Sequence, residues 1–190
     1  MSRFGQGDVY APLGGLAMGV IAFVVWAARH VVVAGLRPHV GHLALGIAVG
    51  LATTVLTYPI FDLAVTWLPQ LQPMVRELYQ DAAVGSLAGR LAWVTVIIVA
   101  EELLFRGLVP ELLRRRMSAT TAIYGAIVVY AASTLGSASI IVFAMALVMG
   151  AIWTIMRVKT DSLVPGLVAH LVWTPSVIVV WPVVERLGPA

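Results

Sequence analysis

Residues 91–107, LAWVTVIIVAEELLFRG, decide how this chain folds. Ten uncharged residues are followed directly by two adjacent carboxylates, Glu101 and Glu102, and Arg106 comes four residues after the second. An unpaired carboxylate in an apolar environment costs several kcal/mol, so acidic residues in such a setting are usually functional or tightly paired. The segment therefore predicts a charged site within an otherwise hydrophobic helix.

The composition around this segment is that of a membrane protein. Of 190 residues, 61% are hydrophobic and 11% are charged, and the mean hydropathy is +0.97. A soluble domain carries about a quarter charged residues. We therefore expect an integral protein of a lipid bilayer. No basic patch with interleaved aromatic residues occurs in the sequence, so we expect no nucleic-acid partner, and the absence of cysteine excludes disulfide and thiolate chemistry.

Six apolar stretches approach the length of about 20 residues that a spanning helix needs. They are 9–28, 41–61, the stretch from Leu91 onward, two helices within 117–156 that a turn near Gly136 in 133–139 separates, and 162–184. The predicted fold class is all-α, a polytopic membrane bundle of about six transmembrane helices. The chain forms one integral membrane domain over 1–190, with two helices in 1–67, a loop or interfacial helix in 68–90 and a core in 91–184.

The distribution of Lys and Arg predicts the orientation of the bundle. Seven basic residues follow the first, third and fifth predicted helices, and four lie on the opposite side. The two groups are Arg29, Arg37, Arg114, Arg115, Arg116, Arg157 and Lys159, and then Arg3, Arg76, Arg90 and Arg186. We expect the first group to be cytoplasmic and both termini to lie outside.

The helical spacing assigns different directions to the two carboxylates. Glu102 and Arg106 are four residues apart, so they share a face and can pair, which keeps Glu102 ionised. Glu101 then points about 100° away, toward a space between helices, where a carboxylate is a candidate general base for water. The alternative is that both glutamates only neutralise Arg106 and the arginines at 114–116, and the residue pattern leaves both interpretations open.

His170 lies inside the sixth stretch, and a histidine in a spanning helix usually faces the bundle interior. Thr174, one turn later, shares its face. The alternative for His170 is a core residue hydrogen-bonded to a backbone carbonyl. His39 and His42 are three residues apart but have no third ligand nearby in sequence, and no His-Glu-x-x-His pattern occurs. We therefore expect neither a metal nor a cofactor.

The segment from Glu101 to Arg116, EELLFRGLVPELLRRR, resembles the first motif of the CPBP family, which includes CAAX prenyl proteases, bacteriocin-processing proteins and Abi-type membrane proteins. The family pattern is Glu-Glu-x-x-x-Arg, then Phe-x-x-x-His in the next helix, then His-x-x-x-Asn or Asp in a later helix. The resemblance covers roughly 91–180. The second motif falls on YAAST at 130–134 and the third on HLVWT at 170–174, so both are degenerate in this chain.

The resemblance implies that Glu101 activates water and that His170 acts as the electrophile. It implies supporting positions for five further residues, Glu102, Arg106, Tyr130, Thr134 and Thr174. Two functions follow as hypotheses. One is an intramembrane endopeptidase that cleaves a membrane-tethered peptide. The alternative is a catalytically inactive pseudoprotease that serves as a scaffold or regulatory subunit of a membrane protein complex. In either case we expect the inner (plasma) membrane of a bacterium.

Overall fold

The computed structural model describes residues 10–188. Helices and turns fill this range and no strand occurs within it, which confirms the predicted all-α membrane bundle. The α-helices are α1 Tyr10–Gly35, α2 Val40–Trp67, α3 Leu71–Ala82, α4 Leu87–Glu101, α5 Val109–Arg114, α6 Ala119–Ser133, α7 Ile140–Thr160 and α8 Val164–Pro175. A π-helical segment, Glu102–Leu108, joins α4 to α5, and a second, Ser176–Val180, extends α8. Two 3₁₀ turns, Thr134–Ser137 and Val183–Leu187, follow α6 and the second π segment.

Four helical segments in the described range are long and apolar enough to cross a bilayer. They are Pro12–Gly35, Val40–Trp67, Ala119–Ser137 and Ile140–Thr160. Two further runs complete the bundle: the continuous helix from α4 through α5, and the shorter apolar helix Val164–Val180. These six runs correspond to the six predicted stretches.

Two helix ends differ from the prediction. The backbone of α1 leaves the helical region at Ala28, the predicted end (φ −139°, ψ 37°), but the helix resumes and continues to Gly35. Likewise α2 extends beyond 61 to Trp67. The helices are longer than the apolar stretches because Arg29 and Asp62 end the uncharged runs, whereas backbone hydrogen bonding continues past these residues. The predicted start at Val9 lies outside the described residues.

The break between α6 and α7 lies within the predicted segment, 133–139. The left-handed residue is Ala138 (φ 52°), and Gly136, the predicted turn residue, belongs to the 3₁₀ turn. The Ser139 hydroxyl then accepts a hydrogen bond from Val142 N and begins α7. A hydroxyl at this position satisfies one of the free amide groups of the helix start.

The segment 68–90, predicted as a loop or an interfacial helix, contains the amphipathic helix α3. Val75 is buried on its inner face, and the Tyr79 hydroxyl donates a hydrogen bond to Val177 O at 2.7 Å. The Arg76 guanidinium donates to the carbonyls of Leu187 and Gly188. Helix α3 therefore packs across the second π segment and the 3₁₀ turn that follows it.

Close packing of α2 against α8 depends on two glycines in α2. A Cβ on Gly46 would lie 2.7 Å from Val168 Cβ, and one on Gly50 would lie 2.7 Å from Val172 Cβ and 2.9 Å from Ala169 O. Small residues four apart let two membrane helices approach closely. This contact sets the position of α8, which carries His170.

Candidate active site

The two carboxylates lie where the central helix changes its hydrogen-bonding pattern. Glu101 is the last residue of α4, and Glu102 begins the π-helical segment, whose wide turn ends with Val109 N donating to Leu104 O. Sequence patterning did not reveal this π turn. Such turns occur often at functional sites because the wider spacing redirects side chains. Here it accompanies the burial of Glu102 and Arg106, each with only 1% exposure.

Glu102 makes the predicted pair with Arg106 and a second contact across the bundle. Arg106 Nη1 lies 3.2 Å from Glu102 Oε1, and His170 Nδ1 lies 2.9 Å from the same oxygen. Because an ionised carboxylate only accepts hydrogen bonds, we assign the proton to Nδ1, which then donates to this oxygen. The contact to His170 joins residues 68 apart in sequence and ties the central helix to α8. Sequence reasoning assigned Glu102 only to Arg106.

The imidazole of His170 lies between the two carboxylates. While Nδ1 faces Glu102, Nε2 lies 3.9 Å from Glu101 Oε2. A carboxylate on one ring nitrogen fixes the tautomer and the ring orientation, so the other nitrogen is presented in a defined direction. The ring is buried and stacks on Trp153, with centroids 5.8 Å apart. The structure thus brings Glu101 and His170 together.

Glu101 differs from Glu102 in its access to the outside. Its side chain is 29% exposed, compared with 1% for Glu102 and 5% for His170. The Tyr130 hydroxyl donates a hydrogen bond to Glu101 Oε2 at 2.9 Å. The contacts of Glu101 come from Tyr130 on α6 and His170 on α8.

Tyr130 is fixed on several sides. Its ring lies 4.9 Å from the Phe105 ring, and Arg106 Cζ lies 4.1 Å from its centroid. A Cβ on Gly150 would come within 2.6 Å of Tyr130 Cδ1, so only glycine at that position leaves room for the ring. Gly150 and Trp153 were missed by sequence reasoning. The only available sign was a glycine inside a predicted helix, which often marks a packing requirement.

The two threonines of the degenerate motifs differ in how their hydroxyls are used. Thr134 Oγ1 donates to Ala131 O in its own helix at 2.7 Å. Thr174 Oγ1 is buried and has no hydrogen-bond partner among residues 10–188. The structure therefore brings Tyr130, and not the Thr134 hydroxyl, into hydrogen-bond contact with Glu101.

The buried charges are incompletely paired. Within the described part of the chain, Glu102 Oε2 and the three guanidinium nitrogens of Arg106 have no partner that meets hydrogen-bond geometry. A Cβ on Gly166 would lie 3.3 Å from Glu102 Oε2, so this glycine makes space for the carboxylate. Buried charges with few partners destabilise a fold, and such groups are common where function requires them.

No group of three His, Cys, Asp or Glu side chains with the geometry of a metal site occurs over residues 10–188. His39 and His42, considered above as a pair, have rings 5.1 Å apart at the start of α2. His39 Nδ1 accepts a hydrogen bond from Gly41 N. This nitrogen caps the helix.

Comparison with protein-family models matches residues 83–175 to a family described as type II CAAX prenyl endopeptidase Rce1-like. The match confirms the predicted resemblance to CPBP proteins and spans the predicted site residues from Glu101 to Thr174. No curated protein and no solved structure matches the chain.

Proposed function

We propose that this chain, whose segment 83–175 resembles the CAAX prenyl endopeptidases, is an intramembrane endopeptidase. The observation that carries the proposal is the position of one imidazole, His170, between Glu102 at 2.9 Å and Glu101 at 3.9 Å. Of the two carboxylates, Glu101 has the greater access to the outside. The cluster therefore has a base that a substrate can reach and a histidine that a second carboxylate orients.

Glu101 is the general base in this proposal. The 3.9 Å between Glu101 Oε2 and His170 Nε2 accommodates a water that lies at hydrogen-bond distance from both atoms. The carboxylate takes a proton from this water as the oxygen attacks the peptide carbonyl. A positioned general base contributes about 10²–10⁴-fold to the rate of such a step.

His170 is the electrophile. Glu102 holds its Nδ1, as the carboxylate of a catalytic triad holds its histidine, and stabilises the imidazolium form. The protonated Nε2 then donates to the oxygen of the substrate carbonyl as negative charge develops there. Arg106 supports the arrangement by keeping Glu102 ionised in a buried position.

The substrate class follows from the location of the site. Glu101 lies midway along the continuous helix from Leu87 to Arg114 and is surrounded by apolar helices. A peptide bond reaches this depth only when its chain is apolar or tethered to the membrane. We therefore propose a membrane-tethered peptide substrate, in the inner (plasma) membrane of a bacterium, with the C-terminal ends of α1, α5 and α7, which carry the larger group of basic residues, in the cytoplasm.

The test uses the full-length protein in lipid nanodiscs with two internally quenched peptides. One carries a farnesylated CAAX sequence at its C-terminus, and the other is an unlipidated transmembrane sequence. Glu101→Gln should reduce cleavage by about 10²–10⁴-fold, because it removes the base and keeps the size of the side chain. Glu111→Gln, a change of the same kind in the partly exposed carboxylate of α5, should have no effect.

Two results would contradict the proposal: no cleavage of either peptide by the unaltered protein, or equal cleavage by Glu101→Gln. Either result would favour the alternative, a scaffold or regulatory subunit of a membrane complex. One observation supports that alternative. The Thr134 hydroxyl donates within its own helix, so the second motif lacks the donor that the family places there. A scaffold should co-purify with stoichiometric partners, and Glu101→Gln should leave those partners bound.

A further inference from the structure

The Tyr130 hydroxyl and the His170 imidazole converge on the same oxygen. Tyr130, on α6, donates to Glu101 Oε2 at 2.9 Å, and His170, on α8, presents Nε2 to that oxygen at 3.9 Å. Two proton-bearing groups from different helices therefore flank the carboxylate that serves as base in the proposed function. Only one of them, His170, has a role so far.

Packing alone does not account for the hydroxyl. The Tyr130 ring packs against Phe105, the guanidinium of Arg106 and Gly150. All three contacts involve the ring and would be kept by phenylalanine. The hydroxyl, in contrast, makes one hydrogen bond in the described structure, and its acceptor is Glu101. Its contribution is therefore separable from that of the ring.

Peptide hydrolysis passes through a tetrahedral intermediate whose oxyanion needs positioned donors. The Thr134 hydroxyl already donates to Ala131 O, and the Arg106 guanidinium faces Glu102 and the Tyr130 ring. Tyr130 O–H is the donor that contacts Glu101 directly, and it can be released from this carboxylate. Release occurs when Glu101 accepts a proton, because a neutral carboxyl group is a weaker acceptor than a carboxylate.

We propose that Tyr130 is a catalytic residue whose hydroxyl, released from Glu101, donates a hydrogen bond to the oxyanion together with His170. This inference rests on the proposed function. The water oxygen bonds to the carbonyl carbon, one water proton passes to Glu101, and the C=O π electrons move to the oxygen that Tyr130 and His170 face. On collapse the C=O bond re-forms, the C–N bond breaks and the amine leaves with the proton from Glu101. Tyr130 keeps its own proton throughout.

The first experiment compares Tyr130→Phe with Tyr124→Phe on the peptide that the full-length protein cleaves. Tyr124 is on the same helix, but it is 66% exposed, so it is a matched control. Loss of one oxyanion donor typically lowers kcat by about 10²–10³-fold. We expect that loss for Tyr130→Phe with KM unchanged, since the contact forms only in the transition state, and no change for Tyr124→Phe.

The second experiment separates a contact with the oxyanion from an effect exerted through Glu101. A peptidyl phosphonate, which carries an anionic oxygen on a tetrahedral centre, is bound to Glu101→Gln and to Glu101→Gln/Tyr130→Phe. If Tyr130 touches the oxyanion, removing its hydroxyl should weaken phosphonate binding at least tenfold even without the Glu101 carboxylate. If it acts only by positioning Glu101, the two affinities should be equal, and the proposal is overturned.

The possible failures are distinguishable. Unchanged kcat in Tyr130→Phe, with Glu101→Gln inactive, overturns the role of Tyr130 and leaves the endopeptidase in place. A raised KM with unchanged kcat also overturns the role of Tyr130 and leaves the endopeptidase in place, because the hydroxyl then contributes to substrate binding and not to the transition state. An unaltered protein that cleaves neither peptide overturns the endopeptidase and the role of Tyr130 together.

Discussion

Removing the cation of the buried ion pair should destabilise the bundle far more than removing an exposed cation at the same spacing. In Arg106→Met the Glu102 carboxylate, with 1% exposure, keeps His170 as a partner but no longer has a guanidinium beside it. Breaking a buried pair on one side costs about 3–5 kcal/mol, because an uncompensated charge remains inside. The lost contact of Arg106 with the Tyr130 ring acts in the same direction.

The chain contains its own control, a pair with the same four-residue spacing at the C-terminal end of α5, where Arg115 directly follows the helix. Arg115 Nη2 lies 3.8 Å from Glu111 Oε1, and the two side chains are 61% and 34% exposed. Exposed pairs contribute at most about 1 kcal/mol, so Arg115→Met should lower the free energy of unfolding by no more than that. The substituted residue type and the spacing within each pair are the same, and burial is the difference that the comparison measures.

A third variant tests the electrostatic explanation directly. Arg106→Met/Glu102→Gln removes both charges, and the amide oxygen of Gln still accepts a hydrogen bond from His170. Replacing a whole buried pair with neutral residues is often neutral, so the double variant should recover most of the loss. The assay is equilibrium unfolding of the full-length protein in mixed micelles, titrated with denaturing detergent. A loss below about 1 kcal/mol for Arg106→Met, or no recovery in the double variant, would refute the reasoning.

Three further predictions concern packing and the degenerate motifs. Gly50→Ala should lower the free energy of unfolding by about 1–3 kcal/mol, because the new Cβ would lie 2.7 Å from Val172 Cβ. The control Gly19→Ala, whose Cβ meets open space, should leave the free energy of unfolding unchanged, and equal unfolding midpoints for the two variants would contradict the close contact of α2 and α8. Thr134→His should increase the cleavage rate at least tenfold in the peptide assay, because an imidazole adds a donor, whereas the Thr134 hydroxyl already donates to Ala131 O. An unchanged rate would contradict this role for a donor at position 134. Trp173→Phe should cost about 1 kcal/mol of stability by removing the 2.8 Å hydrogen bond from Nε1 to Thr57, and an unchanged unfolding midpoint would exclude that contribution.

The cluster around Glu102 links stability to function. The same carboxylate accepts from His170 and pairs with Arg106, so it joins α8 to the central helix and also orients the candidate electrophile. Its Oε2 has no hydrogen-bond partner within residues 10–188, and Gly166 leaves space beside it. A site that holds charge in an apolar bundle is expected to lower the stability of the fold, and changes that stabilise the bundle at this position should reduce activity.

Local features of this protein were predictable because local geometry decides them. The pairing of Glu102 with Arg106 follows from a spacing of four residues in any helix, and the π segment preserved it. The apolar stretches and the break in 133–139 follow from the length of hydrocarbon that a helix must cross.

Contacts between distant residues were decided by how the helices pack. The sequence placed His170 in the bundle interior, but its bond to Glu102 depends on the approach of α8 that Gly46 and Gly50 permit. The sequence motif placed a threonine at 134, yet the side chain that reaches Glu101 is Tyr130, one turn earlier, because Gly150 leaves room for its ring. Apolar periodicity predicts that a helix is buried, but it does not predict how the helix is rotated about its axis relative to its neighbours. Rotation is set by close steric contacts summed over several helices, and those exist only in the tertiary structure.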